Sequence, residues 1–95
     1  MRRLIPGRRG RPGIVTFVTR SGCHLCEIAE PVVRAAADEA GVRFEVRDVD
    51  ASAADVAAYS AKVPVVLLDG REHAYWTVDE KALRRALRQP GRHRL

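Results

Sequence analysis

The sequence predicts an α/β domain, a four-stranded mixed sheet with helices on both faces, in the order β-α-β-α-β-β-α. Three observations carry that expectation. Short β-branched runs alternate with stretches whose apolar residues recur at spacings of three and four. The first two strands are joined through a helix, and the right-handed crossover of such a unit makes them parallel. The last two are joined across Asp69-Gly70, a tight-turn pair that folds them into an antiparallel hairpin.

The elements follow in order. Ile14-Val15-Thr16-Phe17-Val18 is a run of buried-strand length. Arg20-Ser21-Gly22 turns the chain, with Ser21 placed to accept from the first amides of a helix. That helix is expected from about Cys23 to Ala40. Leu25, Ile28, Ala29, Val32, Val33, Ala36 and Ala40 form its apolar face, Pro31 should bend it, and Gly41 ends it. The second strand is expected over 43–49, with Phe44, Val46 and Val49 as its apolar members. Ser52-Ala53-Ala54-Asp55 resembles a capping box with aspartate in the glutamate position, and opens a short helix to about Tyr59. Pro64-Val65-Val66-Leu67-Leu68 is the third strand, and residues 72–77 form the fourth. Asp79 caps a final helix whose Ala82, Leu83, Ala86 and Leu87 face inward, and Gln89-Pro90-Gly91 stops it.

Ninety-five residues, 46% of them hydrophobic, suit one globular domain and leave no room for a second core. The net charge of +5 divides unevenly along the chain. Residues 1–13 carry five arginines and no acid, residues 84–95 carry five more, and the middle sets seven basic residues against all twelve acids. The organisation expected is therefore a basic flexible segment over 1–13, a domain over 14–89 and a basic tail over 90–95. No apolar run approaches the ~18–20 residues of a membrane span. The basic opening is not followed by the apolar stretch of a signal peptide, because Ile5 leads straight into Pro6-Gly7-Arg8-Arg9. These features predict a cytoplasmic protein, and in that reducing compartment two neighbouring cysteines are catalytic or metal-binding more often than structural.

Cys23-His24-Leu25-Cys26 is the chemical centre of the sequence. Two cysteines three apart in a helical turn can reach disulfide geometry with little backbone movement. Cys23 sits where the first strand hands over to the helix, where free amides and the positive end of the dipole favour a thiolate. An ordinary thiol pKa of about 8.5 falls to about 3.5–7.5 in such settings, and the thiolate is the nucleophile. Cys26, one turn further in, has the position of a resolving thiol. A Cys-x-x-Cys pair also serves zinc or a plain structural role. Zinc needs a second ligand pair, and His24, His73 and His93 are not arranged as one. Redox chemistry is the favoured reading, with no metal.

With Thr19-Arg20-Ser21-Gly22-Cys23-His24-Leu25-Cys26 after a strand and Val63-Pro64-Val65-Val66 opening a later one, the chain resembles the glutaredoxin-like branch of the thioredoxin superfamily over about residues 14–88. The resemblance implies a thioredoxin-like fold and a thiol–disulfide oxidoreductase with a dithiol mechanism. Its redox disulfide would be Cys23-Cys26, with Cys23 attacking and Cys26 resolving. It also implies that Pro64 is a cis proline beside Cys23, and that the backbone of Val63 pairs with substrate like an added strand. By sequence alone, Pro64 is simply a proline at a strand start. The family's substrates imply disulfide-containing or glutathionylated proteins as partners, with a reductase or glutathione for recycling. No bound cofactor is expected, and glutathione enters only as a co-substrate. Three features depart from the pattern. His24 and Leu25 replace proline and tyrosine between the cysteines, and Gly22 stands where thioredoxins carry tryptophan. The Gly-Gly-acid motif that helps hold glutathione gives way to Ala74-Tyr75-Trp76-Thr77-Val78-Asp79, of which only Asp79 corresponds.

The flanking residues admit plainer readings. Arg20 is placed to attract an anionic substrate or to stabilise Cys23, and the plainer reading is a solvated surface arginine. His24 can favour the thiolate as an imidazolium or simply face solvent. Tyr75 and Trp76 alternate on the fourth strand, so one is expected to pack inward. Glu27 and Glu30 read as a polar helix face. The arginine-rich ends lack interleaved aromatics and a recognition element, which argues against nucleic acid. The competing function is a thioredoxin-fold binding module with little turnover, its basic ends contacting an acidic partner or nucleic acid. A monomer is expected, with no membrane partner.

Overall fold

The computed structural model describes residues 11–88. The arginine-rich ends, the Gln89-Pro90-Gly91 stop and His93 fall wholly or largely outside those residues. Within them the order is β1 (Ile14–Thr19), α1 (His24–Ala40), β2 (Arg43–Asp48), α2 (Ala53–Tyr59), β3 (Val65–Leu68), β4 (Arg71–Tyr75) and α3 (Glu80–Arg88). The strands form one mixed sheet in the spatial order β2-β1-β3-β4. β1 is parallel to β2 and antiparallel to β3, and β3 is antiparallel to β4.

Side-chain alternation sorts the apolar residues between two faces. Val15 and Phe17 of β1 and Val66 of β3 meet Ala29, Val33, Ala36 and Ala37 of α1 and Leu83 and Leu87 of α3. Val18, Val49, Val65 and Leu67 form a smaller cluster on the opposite face, against Tyr59 of α2. Helices therefore lie on both faces, as the pattern predicts, and the inward positions of α3 are Leu83 and Leu87.

Local chemistry sets most boundaries. The Ser52 side chain accepts from the Asp55 amide at the start of α2, and the Asp79 carboxylate accepts from the Ala82 amide at the start of α3. Asp69 and Gly70 both take positive φ, 52° and 86°, the backbone of a hairpin turn whose twist matches its strands. The Asp69 carboxylate also accepts from the amides of Gly13 and Ile14, and Pro12 is buried. The described part of the N-terminal segment is thus tied to the hairpin.

Several boundaries differ from expectation. The cap of α1 is Cys23, not Ser21, which is exposed in the preceding turn. α1 is, as expected, one helix with Pro31 inside it. β2 stops at Asp48, whose side chain accepts from the Asp50 amide and starts a single 3-10 turn over Val49–Ala51. That turn swings Val49 into the smaller core. Val46 is exposed, because β2 is an edge strand whose outer margin is uncovered. β3 begins at Val65, one residue after Pro64. β4 ends at Tyr75 instead of Thr77, because Trp76 leaves the strand with φ 65°. Both aromatics are exposed, Tyr75 at 44% and Trp76 at 52%, so neither fills the core.

Candidate active site

β1 delivers the chain to the site, and β3 begins beside the same edge because Val18 pairs with Val65 across the antiparallel ladder. Gly22, at φ 75°, takes a backbone that costs glycine nothing and lets the chain turn sharply into α1. The Cys23 amide donates to the Arg20 carbonyl at 3.3 Å, closing that turn.

Cys23 then occupies the capping position of a 17-residue helix, with φ −92° and ψ 109°. Its Sγ accepts from the Cys26 amide at 3.2 Å, so a group that is usually a serine or aspartate oxygen is here a sulfur. The Cys23 carbonyl takes the first intrahelical bond, from the Glu27 amide at 3.1 Å. The two cysteines are joined as a disulfide, with Cα atoms 5.2 Å apart. Their surroundings differ. Cys23 is half-buried and Cys26, at 2% exposure, belongs to the main core. One sulfur faces outward at the positive end of a helix, and its partner waits in an apolar setting. Among the described residues no three His, Cys, Asp or Glu side chains gather into a metal-binding group.

The other sequence-predicted residues are placed as follows. The Val63–Pro64 peptide bond is cis. Pro64 is buried, and Val63 packs against both cores. His24 is exposed as the first residue of α1. Arg20 forks onto Asp50, with Nε–Oδ2 2.9 Å and Nη2–Oδ1 2.8 Å, and its Nη1 donates to the Ser60 carbonyl at 3.4 Å. This bidentate bond holds the Asp50 carboxyl below its ordinary pKa and raises that of Arg20. The guanidinium thus braces the 3-10 turn and the end of α2 against the β1 exit, and its charge is already paired.

A residue not singled out for this role is the one that holds the cis-proline segment. The Trp76 amide is shared between the Pro64 carbonyl at 2.9 Å and the Lys62 carbonyl at 3.2 Å, and the indole N–H reaches the Ala61 carbonyl at 2.9 Å. A bulky side chain at positive φ is strained and persists where its surroundings fix it. Here three acceptors do so. Tyr75 meets the indole edge-on, with ring centroids 5.0 Å apart, and carries the Lys62 ammonium 5.2 Å from its own centroid. Lys62 is in turn paired with Glu72 at 3.1 Å. No periodicity signals such a clamp, since a tryptophan after a strand reads simply as an apolar residue.

Known proteins resemble this arrangement in sequence and in shape. The family model for the glutaredoxin-like domain (DUF836) matches residues 14–88. An uncharacterised protein of Mycobacterium tuberculosis is 40% identical over 75 residues, covering 74% of this chain and 77% of that protein. Among solved structures, thioredoxin from Fasciola hepatica superposes with a TM-score of 0.56 at 30% identity, over 84% of this chain and 81% of that one. A structural-genomics protein of X. campestris gives 0.57 at 34% identity, over 75% of this chain and 91% of that one.

Proposed function

The chain belongs to the glutaredoxin-like domain family, with a thioredoxin-like fold and the Cys-x-x-Cys pair of a thiol–disulfide oxidoreductase; from that premise we propose that it reduces protein disulfides by a dithiol mechanism. The observation that carries the reading is the Cys23–Cys26 pair at the α1 N-terminus, one sulfur half-buried and receiving an amide hydrogen, the other enclosed.

In the reduced protein the Cys23 thiolate attacks one sulfur of a substrate disulfide. The substrate S–S bond breaks, a Cys23–substrate disulfide forms, and the departing substrate sulfur takes a proton from solvent. Cys26 loses its proton and attacks the Cys23 sulfur. The mixed disulfide breaks, the Cys23–Cys26 disulfide forms, and the second substrate thiol leaves. Two electrons pass from the protein to the substrate. Two molecules of glutathione, or a dithiol reductase, return the pair to the thiol form. The Cys26 amide and the helix dipole favour the anion on Cys23, both as attacking group and as leaving group.

Val63 and Pro64 are the substrate-facing backbone in this reading. The carbonyls on either side of Val63 are held by Trp76, whereas Val63 makes no backbone hydrogen bond among the described residues. It is free to pair with an extended substrate strand. His24 borders the outer sulfur on the exposed side. Arg20, paired with Asp50, shapes the loop that carries Cys23. The setting is the cytoplasm, where glutathione and reductases keep such pairs reduced. Cys26→Ser should accumulate a mixed disulfide with substrate, visible as an added mass that a reductant removes, and Cys23→Ser should accumulate none. Full disulfide-reductase activity in both variants would refute the mechanism.

A further inference from the structure

We propose that Arg20 and Trp76 are positioning residues for the redox reaction: from opposite sides they hold the loop carbonyls around Val63, and so set where a substrate strand lies relative to the Cys23 sulfur. The inference rests on the reading that Val63 pairs with the substrate backbone, and names the side chains that keep that backbone in place.

The loop between α2 and β3 presents a run of carbonyls from Ser60 to Pro64. Arg20 Nη1 donates to that of Ser60 at 3.4 Å. The Trp76 indole donates to that of Ala61 at 2.9 Å. The Trp76 amide divides itself between Lys62 at 3.2 Å and Pro64 at 2.9 Å. Only the Val63 carbonyl of this run has no partner among the described residues. Neither donor is local, since Arg20 lies 40 positions before Ser60 and Trp76 lies 15 after Ala61. An ordinary surface loop leaves such carbonyls to water and moves more freely. Here the Val63 side chain also packs against both cores, so little ordering is left to lose when a strand pairs with it.

Both donors are themselves fixed. The Arg20 guanidinium forks onto Asp50 at 2.9 and 2.8 Å, and the Arg20 carbonyl accepts the Cys23 amide at 3.3 Å. One residue therefore ties the turn that carries the attacking sulfur to the loop that carries Val63. A lysine ammonium lacks the planar fork that makes this possible. Trp76, at φ 65°, is met edge-on by Tyr75. Displacing either anchor shifts Val63 relative to Cys23, and a reacting pair must come within about 3–3.5 Å in good alignment.

The test uses a blocked peptide disulfide and two analogues, methylated on the backbone nitrogen of the residue before or after the cysteine. In the wild-type protein one methylation should raise KM about five- to tenfold, the worth of one backbone hydrogen bond, with kcat changing less than about twofold. Trp76→Phe keeps a ring and the amide and removes only the indole donor, whereas Arg20→Gln removes the fork. Each should raise KM for the unmethylated peptide about three- to tenfold and shrink the methylation penalty to below about twofold. Asp50→Asn weakens the fork with Arg20 in place and should give the same two changes at smaller size, which keeps the comparison open if Arg20→Gln fails to fold. A full methylation penalty in Trp76→Phe and Asp50→Asn would overturn the positioning role and leave the pairing at Val63 intact, because a merely structural loss slows methylated and unmethylated peptides alike. No penalty from either methylation in the wild-type protein would overturn the Val63 reading itself, and this proposal with it.

Discussion

The two faces of the sheet are built to different depths. Beneath α1 and α3, ten side chains are buried in one cluster that includes Cys26. On the other face four are buried, and the seven-residue α2 buries none of its own. The deep face holds the sulfur that must stay protected, together with most of the hydrophobic stabilisation. The shallow face is held more by polar braces, Arg47 on Asp55 at 2.9 Å and Arg20 on Asp50, than by burial. Val63 packs against both clusters. The cysteine pair is thus anchored on the face with more burial, and on the proposed reading the Val63 segment also leans on the face expected to open first.

Substitutions can break or sharpen that contrast. The largest stability effect is expected from Leu83→Ala, which empties a fully buried position between α3 and the sheet. It should cost about 2–5 kcal/mol, read from urea unfolding of the oxidised protein. The direct comparison is Val33→Ala against Val49→Ala, which remove the same two methyl groups from equally buried positions on opposite faces. We expect about 2–3 kcal/mol on the deep face and nearer ~1.5 on the shallow one, where a loosely seated helix can settle into the space. Equal costs would show that the two faces are equally rigid.

Ser52→Ala should cost about 1 kcal/mol by removing the α2 cap. Amide hydrogens of α2 should then exchange faster while those of α1 do not, if the faces open independently. The smallest effect is a pH dependence at His73. Val66 pairs with Ala74 and Leu67 with Glu72, so His73 is the extra residue of a bulge in β4. Partial burial pushes its imidazole below the ordinary value, against a weaker opposing pull from Asp79. The unfolded chain therefore takes up its proton first as pH falls. Stability should decline as pH drops from the ordinary histidine pKa toward the lower folded one, and hold above that window. His73→Gln should flatten this part of the urea-midpoint profile.

The architecture was legible wherever burial imposes a period. β1, the Ala29, Val33 and Ala36 stripe of α1 and the two leucines of α3 follow from spacing, whereas Leu25 and Ile28 of the same expected face are exposed at the start of the helix; Ser52 and Asp79 cap helices as their chemistry suggests. The cysteine pair was legible because two sulfurs at that spacing after a strand have few other uses. What escaped was set by tertiary contacts. Val49 looks like strand, yet Asp48 turns the chain so that Val49 enters the smaller core. Ser21 looks like a cap, yet the cap is Cys23 itself. One of Tyr75 and Trp76 looks like a core residue, yet both are exposed, and a positive φ and three distant carbonyls hold Trp76 at the surface. Arg20 looks free until the fold brings Asp50 to it from thirty positions away.

The indole has one more consequence. Trp76 is the sole tryptophan of the chain, half in water, hydrogen-bonded through its ring nitrogen, and lining one hollow with Leu25, which stands between the two cysteines in sequence. A nearby disulfide and a nearby dithiol quench excited indoles to different extents. The intrinsic emission of this residue should therefore report oxidation and reduction in real time, with no label attached.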